Sequence, residues 1–129
     1  MLYKILVAED DIVVKRSLAI FLGKSSDEYD FEVVEAKDGV EALELYEAER
    51  PDMIFTDHSM PEMFGDDVVR RIRDPNGYND HRTRICMLSA GTISEGAAIA
   101  AGADDFLGKP FGKADVIAIR DRYAEELDT

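Results

Sequence analysis

Two apolar stretches of the chain each end on acidic residues, and these acids have the side chains best suited to chemistry. Residues 53–56 form an apolar run that stops at Asp57, and residues 4–8 form another that stops at Glu9 and Asp10. Short apolar runs rich in β-prone residues predict buried strands. In open α/β sheets, ligands bind outside the carboxyl ends of the strands. The three acids therefore mark a candidate ligand site.

A group of carboxylates at one sheet edge calls for a cation. Two carboxylates about 5 Å apart repel each other by roughly 3 kcal/mol at an effective dielectric constant of about 20. Mg²⁺ relieves such repulsion with one or two carboxylates, and it keeps coordination positions for waters and phosphate oxygens. Backbone carbonyls of residues 57–61 would suit it as further ligands. The acids therefore predict a Mg²⁺ site adapted to phosphoryl transfer, with Mn²⁺ as a second candidate ion.

Two further polar side chains follow later apolar runs. Lys109 stands before a proline, after a brief run at residues 105–107, and Ser89 ends the run at residues 85–88. An ammonium and a hydroxyl both suit a phosphoryl group, whose transition state needs positioning and electrostatic stabilisation more than covalent help. Asp57 is then the natural nucleophile, because a carboxylate that attacks phosphorus forms an aspartyl phosphate.

The apolar spacing predicts five strands that alternate with five helices through short connections. This order indicates an α/β fold, a doubly wound parallel sheet of (βα)5 type with right-handed crossovers. The flavodoxin-like strand order 2-1-3-4-5 places its switch point between strands 1 and 3, the two strands that end in acids. A weak, alanine-rich helix is predicted at about 94–101. The inward faces of the other helices are predicted to carry Val14, Leu18, Phe21 and Leu22; Val40, Leu43 and Tyr46; Phe64, Val68, Val69 and Ile72; and Val116, Ile119 and Tyr123.

Length and charge limit the function classes. The 129 residues suit one domain over 1–129, with no output domain in the chain. The formal net charge of −13 disfavours direct contact with nucleic acid or anionic membranes. Arginines at 70, 71 and 73 lie between acids at 66, 67 and 74, which is typical of a solvated helix face.

Other side chains have plain structural interpretations. Cys86 is the only cysteine and lies in an apolar run, which predicts a core residue without a disulfide. His58 is interpreted as a solvated loop residue, and His81 as a loop residue with no visible partner. No leader-like segment or apolar run of about 18 residues is present, so a cytoplasmic protein is expected.

The order of these motifs resembles the receiver (CheY-like) domains of two-component response regulators. The resemblance covers essentially the whole chain and rests on residues 5–11 with their acids, Asp57-x-x-Met60-Pro61-x-Met63-x-Gly65, Ser89-Ala90, and Gly102-Ala103-Asp104-Asp105-Phe106 leading to Lys109-Pro110-Phe111. It implies that Asp57 accepts a phosphoryl group from a histidine of a sensor kinase or phosphotransfer protein. It also implies that Glu9, Asp10 and Asp57, with the main-chain carbonyl of Ser59, hold Mg²⁺.

The same resemblance assigns roles to later residues. Ser89 would swing toward the phosphoryl group, Lys109 would pair with it, and Phe106 would act as an aromatic rotamer switch. The bond between Lys109 and Pro110 is expected to be cis. Phosphorylation would shift the population of a surface around helix 4, strand 5 and helix 5, through which an unknown downstream protein is contacted.

Some points depart from the family pattern or stay open. The segment from Ser89 to Lys109 is about two residues shorter than usual, which predicts a short helix 4. A domain of this kind is not a turnover enzyme but assists its own phosphorylation and dephosphorylation. A stand-alone regulator, a phosphorelay intermediate and a receiver from a longer protein all fit, as do a monomer and a phosphorylation-dependent dimer.

Three rival functions fit the sequence less well. A phosphohydrolase with an aspartyl nucleophile normally needs an acid two residues later, where this chain has Ser59. A pseudo-receiver would not need the full set of acids, hydroxyl and lysine. Flavin binding on a similar fold would need a phosphate-cradling loop after the first strand, where this chain has acids.

Overall fold

Strands and helices alternate along the whole chain. The computed structural model describes all 129 residues. The elements are β1 (Leu2–Ala8), α1 (Ile12–Leu22), β2 (Asp30–Ala36), α2 (Gly39–Glu49), β3 (Met53–Asp57), α3 (Gly65–Arg73), β4 (Arg84–Ser89), α4 (Glu95–Ala101), β5 (Asp105–Gly108) and α5 (Lys113–Leu127). The strands pair in parallel in the order β2-β1-β3-β4-β5. The predicted (βα)5 fold and its strand order are therefore confirmed.

The sheet separates two apolar cores. On one face, α1 and α5 pack with residues such as Leu18 and Tyr123. On the other face, α2, α3 and α4 contribute residues such as Tyr46, Val68 and Ala98. All five residues of β3 are buried, as expected of a central parallel strand that is covered by helices on both faces.

The strand register sets the position of the candidate site. Ala8 of β1 pairs with Thr56 of β3, and Asp57 pairs with Leu88 of β4. Residues that follow β1, β3 and β4 therefore emerge at one edge of the sheet, which is its carboxyl edge.

Helix caps separate structural acids from free ones. The Asp11 carboxylate accepts hydrogen bonds from the amides of Val13 and Val14 at 2.9 and 3.1 Å, so Asp11 caps α1 and Asp10 does not. Ser94 caps α4 through the amide of Ala97 at 3.1 Å. Helix α4 has seven residues, as the shortened segment predicted.

Two residues predicted to face the core are exposed. Val40 lies at the surface of α2 because Gly39, Ala42 and Tyr46 form its buried face. Phe64 is 54% exposed because it precedes α3 as its N-cap residue.

Arg73 corrects the prediction of a fully solvated arginine face on α3. Its side chain is only 11% exposed and pairs with Asp104 at 2.9 Å. It also donates to the carbonyls of Gly102 and Asp80, each at 3.0 Å, so it joins the end of α3 to the end of α4.

Cys86 is buried and free, as predicted. The helices are too short or too polar to span a bilayer.

Candidate functional site

The structure brings together Glu9, Asp10 and Asp57, hereafter the acid cluster. One carboxylate oxygen from each residue lies within 4.8 Å of the others. Glu9 directly follows β1 and its amide still bonds to the Ala36 carbonyl of β2 at 3.1 Å. Asp57 is the last residue of β3. The acid cluster therefore lies where two neighbouring strands end.

The acids differ in their access to solvent. Glu9 and Asp57 are 1% and 5% exposed, whereas Asp10 is at the surface. Burial raises the pKa of the Glu9 carboxyl to about 7, and the charge of Asp57 acts in the same direction. Hydrogen bonds from Lys109 and from the Asp11 amide oppose that rise. Ionised Glu9 is therefore under-stabilised by the protein groups around it.

Lys109 is the positive group of the site. Its Nζ lies 2.6 Å from Glu9 Oε1 and 3.3 Å from Asp57 Oδ1. Burial alone would lower the pKa of Lys109, but the hydrogen bond to Glu9 and the charge of Asp57 raise it. The bond between Lys109 and Pro110 is cis, as expected. One ammonium faces three carboxylates, so the site keeps an excess of negative charge.

The donor set fits Mg²⁺. Carboxylate oxygens are hard ligands, and the exposed side of Asp10 leaves access for waters. Ser59, whose carbonyl is the predicted fourth ligand, is an exposed residue two positions after β3. Its role stays a prediction.

Ser89 and Phe106 lie on the two strands beyond β3. Ser89 ends β4 and is 1% exposed, and its carbonyl accepts from the Lys109 amide at 2.7 Å. Its Oγ accepts from the amides of Gly91 and Thr92 at 3.1 and 3.0 Å. Phe106 of β5 is half-buried and packs against the core formed with α2, α3 and α4.

His58 is buried, so its prediction as a solvated residue is wrong. It is 8% exposed, and the exposed ring of Phe64 covers it at a centroid distance of 5.5 Å. Its Nε2 lies 3.0 Å from Asp66 Oδ1, and its Nδ1 lies 2.7 Å from Thr92 Oγ1. The contact with Thr92 joins loops 34 residues apart, and no sequence pattern indicated it. His81 is exposed, with Nε2 3.1 Å from the side-chain oxygen of Asn79.

Comparison with known families places this arrangement. A family model described as the response regulator receiver domain matches residues 5–120. The chain belongs to this family. Receiver domains are signalling domains rather than metabolic enzymes, and those of the family use Mg²⁺. Response regulators interact with sensor kinases or phosphotransfer proteins.

Curated relatives of this receiver domain include the response regulator MprA. MprA of Mycobacterium tuberculosis is 38% identical over 119 residues, which cover 92% of this chain and 49% of the relative. MprA of Mycobacterium ulcerans is also 38% identical over 119 residues, which cover 92% of this chain and 48% of the relative. The chain thus spans about half the length of these relatives.

Solved structures agree with this placement. The chemotaxis response regulator CheY4 of Vibrio cholerae superposes with a TM-score of 0.80 at 31% identity, covering 95% of this chain and 99% of CheY4. The receiver domain of the Francisella response regulator 1452 gives 0.80 at 28% identity, covering 96% and 98%. Both likenesses extend over nearly the full length of this receiver domain.

Proposed function

We propose that residues 1–129 act as one phosphoacceptor domain that receives a phosphoryl group on Asp57. The donor is a phosphohistidine of a sensor histidine kinase or of a histidine phosphotransfer protein. The observation that carries the proposal is the surroundings of Asp57: two other carboxylates within 4.8 Å and an ammonium 3.3 Å away, at the carboxyl edge of the sheet.

In the transfer, an Asp57 carboxylate oxygen bonds to phosphorus while the bond between phosphorus and the donor imidazole nitrogen breaks. The imidazole keeps the electron pair, and the product is an acyl phosphate. Mg²⁺ held by the acid cluster and the Ser59 carbonyl would supply positive charge to the carboxylates and the phosphoryl oxygens. Lys109, released from Glu9 and Asp57, would pair with one of those oxygens.

The signal leaves the site through Ser89 and Phe106. The Ser89 hydroxyl moves to the phosphoryl group, and Phe106 changes rotamer from its half-buried position. These contacts exist only in the phosphorylated state, so they shift the population of the surface formed by α4, β5 and α5. That surface then binds a downstream protein. The domain acts as a monomer or as a phosphorylation-dependent dimer.

The domain assists its own phosphorylation and its own slow dephosphorylation and does not turn over a metabolite. Ser59 supports this distinction from phosphohydrolases, because its hydroxyl occupies the position where their second acid would stand and does not replace a carboxylic acid as a proton donor. Turnover of small phosphate esters would argue for the rival.

The test is the intact mass of the chain after incubation with Mg²⁺ and acetyl phosphate. The native chain should gain one phosphoryl group, and Asp57→Asn should gain none. Asp27→Asn is a matched control on an exposed loop and should behave as the native chain does. Equal gain in native chain and Asp57→Asn would remove Asp57 from its role.

A further inference from the structure

A chain of hydrogen bonds runs from Ser89 to α3 through two residues without an assigned role. Ser89 Oγ lies 3.2 Å from Thr92 Oγ1, and Thr92 Oγ1 lies 2.7 Å from His58 Nδ1. His58 Nε2 lies 3.0 Å from Asp66 Oδ1. The proposed phosphoryl-contacting hydroxyl is therefore connected to a carboxylate on a helix.

The donor direction of this chain follows from its acidic end. Arg70 donates to Asp66 Oδ2 at 2.7 Å. This bond lowers the pKa of Asp66 against the opposing effect of burial, so the carboxylate is ionised and can only accept. Nε2 of His58 must then carry the hydrogen that is donated to Asp66. In the neutral imidazole Nδ1 is left as an acceptor, and Thr92 donates to it.

This direction determines what Ser89 can do. With His58 neutral, the Thr92 hydroxyl hydrogen points to Nδ1, and the Thr92 oxygen can only accept from Ser89. Ser89 Oγ already accepts from two backbone amides at 3.0 and 3.1 Å. The single hydroxyl hydrogen of Ser89 is therefore directed at Thr92 and not available to a phosphoryl oxygen.

We propose that His58 and Thr92 are positioning residues that retain the Ser89 hydroxyl hydrogen, so that Ser89 can bond to a phosphoryl oxygen only after its bond to Thr92 breaks. The inference rests on the proposed function, in which Ser89 contacts that group. It assigns His58 and Thr92 to the control of the phosphorylation rate.

The burial of the residues shows which hydrogen bond in the series from Ser89 to Asp66 can break. His58 is buried, and its carbonyl accepts from the Gly65 amide at 2.8 Å. A Cβ at residue 65 would lie 2.2 Å from the Asp57 carbonyl oxygen, so only glycine allows this close approach. Thr92, in contrast, is exposed, and its hydroxyl can turn to water. His58 is therefore held in place, and the hydrogen bond between Thr92 and Ser89 is the one that breaks.

The test compares Thr92→Val with Thr92→Ser in the full chain. Valine keeps the shape and the backbone amide at residue 92 but removes the hydroxyl, whereas serine keeps it. We expect Thr92→Val to form the aspartyl phosphate about three- to tenfold faster with acetyl phosphate, the effect of one net hydrogen bond, and Thr92→Ser to stay within about twofold of the native rate.

A second readout separates positioning from a merely structural role. Imidazole ¹⁵N shifts of His58 should show one tautomer, hydrogen on Nε2, in the native chain and Thr92→Ser. In Thr92→Val the Nδ1 signal should move, because its donor is gone. Mg²⁺ affinity without phosphodonor should be equal in all three, since Thr92 makes no contact with the acid cluster.

The outcomes distinguish the two proposals. If the native chain is phosphorylated and Thr92→Val is equally fast or slower, the role of Thr92 and His58 is wrong and the proposed function stands. If the native chain takes no phosphoryl group in Mg²⁺ and acetyl phosphate, the proposed function fails and this inference fails with it.

Discussion

Acidic side chains gather at both edges of the sheet, but only the amino edge supplies enough donors for them. At that edge, the Asp80 carboxylate accepts four hydrogen bonds. They come from the Tyr46 hydroxyl at 2.6 Å, the Thr83 hydroxyl at 2.7 Å, and the amides of Arg82 and Thr83 at 2.9 and 3.1 Å. At the carboxyl edge, the ammonium of Lys109 is the positive group beside the acid cluster, and it contacts Glu9 and Asp57 but not Asp10.

Carboxyl groups are partly buried at both edges, but their pKa values move in opposite directions. Burial alone would raise the pKa of Asp80, but its hydrogen bonds lower it to about 2. Burial raises the pKa of Glu9 to about 7, because its few donors do not compensate. A carboxylate with a full set of hydrogen-bond donors, here called saturated, stabilises the native state by itself. A cluster of carboxylates with too few donors, here called unsaturated, gains stability when a cation binds. The first arrangement serves the fold, and the second is the one that a bound cation would stabilise.

The largest effect is expected when Asp80, the saturated carboxylate at the amino edge, is replaced. Asp80→Asn removes the charge and places an amide against four donors, so the free energy of unfolding should fall by about 3 kcal/mol. Urea unfolding of the native chain and the variant measures it. Asp27→Asn makes the same chemical change at an exposed loop residue and should shift stability by less than about 0.5 kcal/mol. Equal losses in both variants would contradict the special role of Asp80.

The next effect concerns the unsaturated edge. Mg²⁺ should raise the melting temperature, and at about 100 times its Kd it should add roughly 2.7 kcal/mol to the free energy of unfolding. Thermal melts with and without millimolar MgCl₂ test this, with NaCl at matched ionic strength as the control. A shift of the same size in NaCl would point to general screening and not to a site.

The pH dependence of Asp80 should be smaller. A carboxylate whose folded-state pKa is lowered to about 2 contributes stability above its unfolded value of 3.8 and loses it as the pH falls toward 2. The stability difference between the native chain and Asp80→Asn should therefore shrink between pH 5 and pH 3. After a discount for the partial exposure of Asp80, we expect a decrease of less than about 1 kcal/mol. A difference that grows on acidification would contradict this assignment.

The sequence predicted the fold well because the apolar periodicity is strong. Runs such as residues 53–56 are buried on both faces, and the register then follows from parallel pairing. The convergence of the acids followed from the same logic, since residues at the carboxyl ends of neighbouring parallel strands share an edge. The errors at Val40 and Phe64 arose at helix starts, where a shift of one position changes which side chains face the core.

Contacts between loops could not be predicted in the same way. His58 is adjacent to Asp57, yet its partners, Thr92 and Asp66, come from another loop and from a helix. Arg73 similarly reads as a surface charge in sequence, but its partners at Gly102 and Asp104 come from a distant segment. Such side chains are buried by tertiary geometry, for which hydrophobic periodicity carries no signal.

Small effects of opposite sign are expected at two adjacent acids, Asp10 and Asp11. Asp10 is exposed and belongs to the acid cluster, whose carboxylate oxygens lie within 4.8 Å of one another, so Asp10→Asn without divalent cation should raise the free energy of unfolding. We expect about 1 kcal/mol, the repulsion of two charges about 4 Å apart in water. Asp11 caps α1, so Asp11→Ala should lower it by about 1 kcal/mol.

Urea unfolding in EDTA separates these two changes, and melts in Mg²⁺ then test their link to the site. Asp10→Asn should lose most of the Mg²⁺-dependent shift, whereas Asp11→Ala should keep it, because the Asp11 carboxylate bonds to the helix amides and lies outside the acid cluster. If Asp10→Asn destabilised the chain as much as Asp11→Ala does, Asp10 would have to contribute to the fold, and the contrast between the two edges of the sheet would fail at this residue.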